Sequence, residues 1–295
     1  MISRRDFLRY AGMWSAALGL SATDLIHLED ALANPSGPAV IWLQGAACTG
    51  CSISFMNRIS SSAPSTAANV LTNSVNLVYH PNLSAVAGES VYKVIEQAYS
   101  KGNYILAVEG GVPTAFGGAA CWAWTYKDMD TTFLQAVQWL APKAAKILSV
   151  GSCAAFGGIP ASGGNPTGIK SVSAATGKPT INIAGCPPHP DWIVGVIAQL
   201  IAGKTLSLDS YGRPSQYYNK KIHDICPNKD MQKVKTLGVV GCYKEIGCRG
   251  PETKAVCPTL KWNNGTNWCI GANAPCLGCT EPTFPGSASF SVKAG

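Results

Sequence analysis

Short apolar runs alternate with longer amphipathic stretches over the first two thirds of the chain. Runs of four or five mostly apolar residues, bounded by glycine or polar positions, are typical of buried strands. They occupy residues 40–44, 75–79, 104–108, 147–150 and 180–184. Apolar positions at helical spacing mark residues 89–99, 129–140 and 191–202. Strands that alternate with helices predict a parallel α/β sheet with right-handed crossovers.

This alternation of strand and helix patterns stops shortly after Gly203. From Asp209 onward, Gly, Pro, Asn and Cys dominate, and long apolar runs almost vanish. A segment of this kind cannot build an ordinary hydrophobic core, so bound metal is expected to supply its folding energy. The sequence therefore predicts two domains, an α/β domain at residues 34–205 and an irregular C-terminal domain at residues 206–295.

The first 33 residues have the features of an export signal. Arg4 and Arg5 form a twin-arginine pair, residues 10–22 are mostly apolar, and Ala31-Leu-Ala33 is an A-x-A cleavage site. About 13 apolar residues are too few to span a bilayer, which takes ~20. We predict a twin-arginine signal peptide at residues 1–33 and a periplasmic product. No later stretch reaches ~18 apolar residues, so no transmembrane segment is expected in the mature chain.

The composition indicates a partner protein. Charged residues make up only 13% of the chain and hydrophobic residues 46%. A surface so poor in charge is expected to be covered in part by a second protein. The formal net charge is +7, but basic residues are not interleaved with aromatic ones. Nucleic acid is therefore not an expected partner.

Seven of the twelve cysteines lie between residues 223 and 279. The segment begins with His223-Asp-Ile-Cys226 and ends with the C-x-x-C pair Cys276-Leu-Gly-Cys279. One His and seven Cys make two sets of four soft ligands, the number that an iron–sulfur cubane takes. Zinc remains a rival, since C-x-x-C occurs in both chemistries. In chain order the two sets are His223, Cys226, Cys242 and Cys248, then Cys257, Cys269, Cys276 and Cys279.

A third set of four follows the predicted strands. Cys48 and Cys51 come after the first strand, Cys153 after the fourth and Cys186 after the fifth. Ligands of parallel sheets bind beyond the carboxyl ends of the strands. Neighbouring glycines also let the backbone approach a bulky ligand. These thiols are therefore expected to converge on one cubane.

Four further cysteine or histidine residues stay outside these sets, and one of them, His27, lies in the predicted signal peptide. Cys121 is expected to be a buried, inert thiol. His80 and His189 are left unassigned, because a lone histidine is more often structural than a ligand.

An exported protein with many cysteines could instead be held together by disulfides. Twelve cysteines in 295 residues, however, lie well below the ~8–10% of disulfide scaffolds. The C-x-x-C spacing also suits ligands better than bridges. Clusters are the expectation, and an exported structural protein stapled by disulfides or zinc is the alternative. The alternative predicts a colourless protein, whereas clusters give a brown one.

Several motifs in one order resemble the small subunit of nickel–iron hydrogenases over essentially the whole mature chain. They are Cys48-Thr-Gly-Cys51, Glu109-Gly-Gly-Val-Pro113, Gly151-Ser-Cys153-Ala-Ala-Phe-Gly-Gly158, Gly185-Cys186-Pro-Pro-His-Pro-Asp-Trp192, His223-x-x-Cys226, Gly247-Cys248-Arg-Gly-Pro251 and Cys276-Leu-Gly-Cys279-Thr-Glu-Pro. The resemblance implies a flavodoxin-like N-terminal domain and a cluster-bearing C-terminal domain.

The resemblance also implies which cluster each set would hold. Carried over by position, the proximal cluster is bound by Cys48, Cys51, Cys153 and Cys186, the distal cluster by His223, Cys226, Cys242 and Cys248, and the medial cluster by Cys257, Cys276 and Cys279.

Three departures from the family pattern carry information. Most members have proline where this chain has Cys269, and their medial cluster has three irons. A fourth thiolate implies a third 4Fe–4S cluster of lower potential, as in the nickel–iron–selenium branch. Ala47 replaces a glutamate of many relatives, which leaves a proton-transfer role there unsupported. Ser52 and Gly158 provide no extra cysteine, so the modified proximal cluster of oxygen-tolerant relatives is not expected.

By resemblance, the chain is the electron-transfer small subunit of a periplasmic nickel–iron hydrogenase. The nickel–iron centre lies in a partner large subunit, so no catalytic residue is expected in this chain. The expected electron carrier is a periplasmic protein such as a multihaem cytochrome c. The alternative is an iron–sulfur subunit of another oxidoreductase, such as the related quinone-reducing complex. That relative has only the proximal cluster, and the eight C-terminal ligands speak against it.

Basic residues crowd the region of the expected exit ligand, His223. Residues 219–261 hold nine basic and four acidic side chains. Such a rim either steers an acidic carrier or is simply a solvated face. The basic residues are Lys220, Lys221, Lys229, Lys233, Lys235, Lys244, Arg249, Lys254 and Lys261.

Overall fold

A five-stranded parallel sheet organises the N-terminal part of the chain. The computed structural model describes residues 39–61, 65–67, 69–70 and 75–286. The predicted signal peptide, residues 1–33, lies outside the described residues. Across the described ranges, no helix combines the length and the apolar character needed to cross a membrane.

From one edge to the other, the sheet consists of β2 (Asn76–Tyr79), β1 (Ala39–Gln44), β3 (Tyr104–Glu109), β6 (Ala144–Val150) and β7 (Ile181–Ile183). Counted by its own strands along the chain, this order is 2-1-3-4-5, the flavodoxin-like arrangement. The prediction of a flavodoxin-like parallel α/β domain is therefore confirmed. The two other described strands, β4 (Trp122–Tyr126) and β5 (Met129–Thr132), form a separate antiparallel ribbon.

Short helices connect the strands and continue past them. The described α-helices are α1 (Gly50–Met56), α2 (Glu89–Lys101), α3 (Phe133–Leu140), α4 (Ser152–Phe156), α5 (Val172–Thr176), α6 (Pro190–Ile201), α7 (Ser215–Tyr218) and α8 (Cys257–Leu260).

The helix predicted over residues 129–140 is wrong in its first turn. Residues 129–132 form β5 instead, with Thr131 opposite Trp124 across the ribbon. β-Branched residues facing aromatic ones favour strand pairing. The helix begins at Phe133 because Thr132 and Gln135 form a capping box, in which each side chain accepts a hydrogen bond from the other's backbone.

The two faces of the sheet carry two apolar clusters. Ile41 and Leu43 point toward α2 and α3, whereas Val40 and Trp42 point toward α6. This alternation follows from the two-residue period of a strand. Nine of the ten residues from 190 to 199 in α6 are buried, the exception being Asp191, so the helix is covered on all sides. Its outer cover comes from the region after residue 203.

The region from residue 204 to 286 is irregular, as predicted. Its described regular structure consists of α7, α8, single-turn helices and isolated bridges. It is fastened to the sheet domain by side chains, as when Tyr218 donates a hydrogen bond to the Ala184 carbonyl at 2.7 Å. The fully buried Arg213 binds the Asp209 carboxylate at 2.8 Å and the Thr280 carbonyl at 2.8 Å. A domain boundary near residue 205 stays a prediction.

Candidate metal-cluster sites

The four sheet-edge cysteines lie together in the structure. Cys48 lies in the loop between β1 and α1, Cys51 in the first turn of α1, Cys153 in α4 after β6, and Cys186 after β7. Burial is the largest cause of the raised pKa of Cys51, and the charges of Glu109, Cys153, Cys186 and Cys48 raise it further. All three other thiols are thus electrostatic neighbours of Cys51. We call these four cysteines the proximal set.

Two glycines keep the space beside these thiols open. A Cβ on Gly151, whose φ is +91°, would lie 2.4 Å from the Cys51 sulfur. A Cβ on Gly158, at φ +55°, would lie 3.1 Å from the Cys153 sulfur. Both positions combine a left-handed backbone with a close contact that disfavours any side chain. The glycines predicted to allow close approach therefore lie directly against two thiols of the proximal set.

A buried carboxylate fixes the start of α1. Glu109, only 1% exposed at the end of β3, accepts hydrogen bonds from the Cys51 backbone N–H at 3.1 Å and the Ser52 N–H at 3.2 Å. It also accepts from the Ser52 hydroxyl at 2.5 Å, from Gln44 at 3.1 Å and from the Trp42 indole at 3.2 Å. The N-terminus of a helix favours a negative charge. Glu109 therefore fixes the backbone on which Cys51 is carried.

His80 extends this network. Its Nδ1 accepts a hydrogen bond from the Asn82 backbone at 3.1 Å, so the proton of the neutral ring resides on Nε2. Nε2–H then donates to the Ser52 hydroxyl at 3.1 Å, and that hydroxyl donates to Glu109. Burial lowers the pKa of His80 to about 4, against the opposing charge of Glu109. His80 is therefore a neutral structural residue.

This network was not predicted from the sequence. Its members come from four separate segments, and no spacing rule joins them. The signal that could have found it is the glutamate of the Glu109-Gly-Gly motif, which stands at the end of a predicted strand.

A second group of thiols forms around α8. Burial is the largest cause of the raised pKa of Cys257, and the charges of Cys279, Cys269 and Cys276 raise it further. Burial likewise raises the pKa of Cys276 to about 11. Cys269 is exposed and forms the rim of the group. We call these four cysteines the medial set.

A third group lies farther along the irregular region. Burial raises the pKa of Cys226, and the charges of Cys248 and Cys242 raise it further. His223 begins the single helical turn that leads to Cys226. A Cβ on Gly250 would lie 3.5 Å from the Cys248 sulfur and 3.6 Å from the His223 backbone nitrogen, so these two residues flank one glycine. With His223, these three cysteines form the distal set.

The medial set contacts both other sets. The Ser152 hydroxyl, next to proximal Cys153, donates a hydrogen bond to the carbonyl of medial Cys279. The backbone N–H of Arg249, next to distal Cys248, donates to the carbonyl of medial Cys276 at 2.8 Å. The three sets thus follow one another in the order proximal, medial, distal.

The donor sets fit multi-iron clusters better than single ions. All twelve cysteines belong to the described chain, and all are free thiols. Among the described residues, no three His, Cys, Asp or Glu side chains meet closely enough to hold one metal ion. Zinc would need its donors within about 4 Å of each other, given Zn–S bonds of ~2.3 Å. Four thiols, or three thiols with one imidazole, are the donor set of a 4Fe–4S cluster.

The remaining candidates have other surroundings. Cys121 is half-buried rather than buried, and burial raises the pKa of its thiol. His189 accepts a hydrogen bond from the Asp191 backbone at 3.1 Å, and its other ring nitrogen contacts the Lys261 carbonyl. Its ring packs against Trp192 and Trp262. His189 therefore joins α6 to the irregular region.

Two family models match the chain. Residues 48–200 match the model described as NADH ubiquinone oxidoreductase, 20 Kd subunit. Residues 218–291 match the model that describes the C-terminal part of the NiFe/NiFeSe hydrogenase small subunit. The first match covers the proximal set and every strand of the sheet except β1, and the second covers the medial and distal sets.

Relatives extend the match over the whole chain. The chain is 37% identical to the periplasmic [NiFeSe] hydrogenase small subunit of Desulfomicrobium baculatum, over 99% of each chain. It is 36% identical to the periplasmic [NiFe] hydrogenase small subunit of Solidesulfovibrio fructosivorans, over 96% of this chain and 90% of that one.

Solved structures agree. A reduced, active form of the Ni-Fe-Se hydrogenase from Desulfomicrobium baculatum superposes with a TM-score of 0.81 and 38% identity, over 87% of this chain and 99% of that chain. The [NiFeSe] hydrogenase of Desulfovibrio vulgaris Hildenborough superposes with a TM-score of 0.77 and 38% identity, over 85% of this chain and 96% of that chain. The chain belongs to the small-subunit family of nickel–iron hydrogenases.

Proposed function

We propose that the chain relays electrons between the nickel–iron site of a partner large subunit and an external carrier through three 4Fe–4S clusters. The observation that carries this proposal is the serial order of the three ligand sets. The medial set contacts a residue next to a proximal ligand and a residue next to a distal ligand. A binding or structural protein has no need of such a series.

Each set would hold one cluster through its own side chains. The proximal ligands are Cys48, Cys51, Cys153 and Cys186, the medial ligands Cys257, Cys269, Cys276 and Cys279, and the distal ligands His223, Cys226, Cys242 and Cys248. A bound 4Fe–4S cluster supplies one-electron chemistry. The thiols would bind as thiolates, so cluster binding releases their protons, and the protein orients them and sets the local electrostatics with its buried polar groups.

The surface around the proximal set fits a large subunit. Ile53, Phe116 and Ile159 are 48%, 78% and 37% exposed. Each lies in the segment that follows β1, β3 or β6, at the sheet edge that carries the proximal set. Exposed apolar side chains gathered at one edge mark an interaction site. The large subunit of the proposed heterodimer is expected to cover them.

Metal analysis of the native complex, purified anaerobically, tests this function. Three cubanes give about twelve irons per copy of this chain, and nickel arrives only with the large subunit. Iron and nickel together support the proposal. Iron without nickel indicates that the chain serves another oxidoreductase. A colourless protein without iron contradicts the whole assignment and favours disulfides or zinc.

Cys269 makes the medial cluster a four-iron cluster in this proposal. The oxidised protein should then lack a strong three-iron paramagnetic signal. Cys269→Pro removes the fourth thiolate and should create that signal, with about one iron lost. Cys121→Ala is the matched control, since it removes a thiol outside the three sets. A strong three-iron signal in the unmodified protein would contradict the four-iron assignment.

The distal set would pass electrons to an acidic carrier, for example a multihaem cytochrome c. Lys229, Lys233, Lys235 and Lys244 are exposed in the segment between distal ligands Cys226 and Cys248. Exposed Val240, at 67%, adds an apolar contact in the same segment. Positive charge around an apolar patch favours the approach of an acidic protein.

Export and domain organisation complete the proposal. The two relatives compared above are named periplasmic. Together with the Arg4-Arg5 pair, these names support twin-arginine export and removal of residues 1–33. The mature chain would consist of a proximal-cluster domain at 34–205 and a medial- and distal-cluster domain at 206–295. Amino-terminal sequencing of the purified chain tests the cleavage site, which is expected after Ala33.

A further inference from the structure

One buried hydroxyl connects the proximal and medial sets. Ser152 is 1% exposed and stands directly before proximal Cys153. Its backbone N–H donates to the Gly185 carbonyl at 2.9 Å, and its hydroxyl accepts from the Gly185 N–H at 2.9 Å. Gly185 precedes Cys186, so this reciprocal pair ties the loops of two proximal ligands together.

The direction of the remaining hydrogen bond is fixed. A hydroxyl has a single proton to donate. The Gly185 N–H can only donate to it, and the Cys279 carbonyl can only accept from it. The proton of Ser152 therefore points at the backbone of a medial ligand.

Cys279 also contacts the proximal set through its sulfur. Burial, followed by the charges of Cys276 and Cys269, raises the pKa of Cys279, and a hydrogen bond from the Cys186 backbone opposes this rise. A ligand sulfur of one set thus bonds to the backbone of a ligand in the other. Hydrogen bonds to cluster sulfurs are one of the levers on reduction potential.

The two contacts of the medial C-x-x-C segment differ in kind. At Cys276 the donor is the Arg249 backbone, which a side-chain substitution leaves in place. At Cys279 the donor is the Ser152 side chain. One of the two connections of the medial set can therefore be removed by mutation while the other stays as an internal reference.

We propose that Ser152 is a positioning residue that holds Cys279 against Cys186 and thereby sets the potential of the medial cluster and its coupling to the proximal one. This proposal rests on the proposed function, because it presupposes clusters at both sets. Ser152 does not itself exchange an electron or a proton. It acts by holding the Cys279 backbone, and with it the Cys279 sulfur, beside the Cys186 N–H, whose hydrogen bond to that sulfur would stabilise the more negative, reduced state of a bound cluster.

Loss of the hydroxyl should therefore weaken that bond and favour the oxidised medial state. Ser152→Ala is expected to shift the electron equilibrium between the two sets away from the medial one by up to about tenfold, which is about 59 mV for one electron. The potential of the distal cluster should not change, because the Arg249–Cys276 connection is intact.

The experiment is a potentiometric titration of the assembled hydrogenase, followed by electron paramagnetic resonance. It yields the potential of each cluster and the magnetic interaction between the reduced proximal and medial clusters. Iron content is measured on the same samples. Ser152→Thr retains the hydroxyl and should restore both readouts.

A matched control is available a few residues earlier in the chain. Ser149 in β6 is fully buried, and its hydroxyl has no hydrogen-bond partner among the described residues. Ser149→Ala removes an equal group from an equally buried site and should leave the medial potential unchanged.

The outcomes separate this inference from the proposed function. A lower medial potential and weaker coupling in Ser152→Ala, restored by Thr and absent in Ser149→Ala, support it. Loss of iron from the medial set in Ser152→Ala but not in Ser152→Thr also supports it, because the hydroxyl is then needed to hold the cluster itself. Unchanged potentials in an iron-replete Ser152→Ala protein, or equal losses in Ala and Thr, overturn it and leave the relay standing. Absence of iron from the unmodified complex overturns the relay itself.

Discussion

The proximal set and the two C-terminal sets are built on different foundations. The proximal thiols stand at the ends of β1, β6 and β7, in a sheet whose backbone hydrogen bonds and apolar faces exist without any ligand. The medial and distal thiols stand on single turns and isolated bridges. The sheet therefore places its thiols without a bound group, whereas we expect the irregular region to depend on bound clusters for its order.

Polar groups differ between the regions in the same sense. In the sheet region, Glu109 accepts from several donors and fixes one ligand loop. In the irregular region, buried charges such as Arg213 fasten the segment to its neighbours at Asp209 and Glu281. Glu109 thus orders the backbone that carries a proximal cysteine, whereas Arg213 joins separate parts of the irregular region to each other.

Iron removal is expected to produce the largest difference in stability between the two regions. Structural metal sites contribute on the order of 10 kcal/mol to folding. After anaerobic chelation of the assembled protein, amides in residues 206–279 should lose their protection from hydrogen exchange, whereas β1, β3 and β6 should keep theirs. Equal loss in both regions would show that the sheet depends on iron as much as the irregular region does.

Neutralising Glu109 should weaken the sheet site alone. Glu109→Gln places an amide N–H2 against the donors of Cys51 and Ser52, and hydrogen bonds to a charged group are each worth about 1.5–3 kcal/mol. We expect the opening free energy of α1 to fall by about 4 kcal/mol, measured by hydrogen exchange. Glu96→Gln, at an exposed position of α2, is the control and should change it by less than about 0.5 kcal/mol. Equal changes in residues 206–279 would contradict the separation of the two sites.

Acid should act on the sheet region through His80. Its pKa is lowered from 6.5 to about 4 in the folded state by burial, so the unfolded chain binds its proton first. The stabilisation is complete above pH 6.5 and is lost as the pH falls toward 4, by up to about 3 kcal/mol. Hydrogen exchange in β1 and α1 should show this loss, and His80→Gln should remove its pH dependence. A pH-independent β1 in the unmodified protein would count against a neutral, buried His80.

The smallest of these effects is expected from surface charge, which should change the rate of electron transfer from the irregular region to the carrier. Replacing Lys229, Lys233 and Lys235 with Gln should slow electron transfer to an acidic carrier a few-fold at low salt and flatten its dependence on ionic strength. Lys101→Gln, an exposed lysine of the sheet region, is the control. A rate that is unaffected by salt in the unmodified protein would indicate a merely solvated face.

The sheet could be predicted from the sequence because its signals are local. Each strand is a short apolar run, and each of Cys48, Cys51, Cys153 and Cys186 lies shortly after one. Spacing likewise grouped Cys276 with Cys279. The ribbon β4–β5 was missed because residues 129–140 have one continuous apolar pattern, which the Thr132–Gln135 cap interrupts.

Contacts between distant segments could not be predicted in this way. Ser152 and Cys279 are 127 positions apart, and Glu109 and Ser52 are 57 apart. No periodicity connects such pairs. Their geometry depends on how the irregular region packs on the sheet, and that packing is set by three-dimensional shape rather than by pattern.

The burial of α6 has a consequence for how the chain can be divided. One side of the helix lies on the sheet, and its Trp192 packs against Tyr217, Tyr218 and Trp262 from the irregular region. A chain cut near residue 205 would leave that side of α6 facing water. The first family model ends at residue 200, so any protein that consists of this portion alone must supply another apolar wall. α6 is thus the shared wall between the two halves of the molecule.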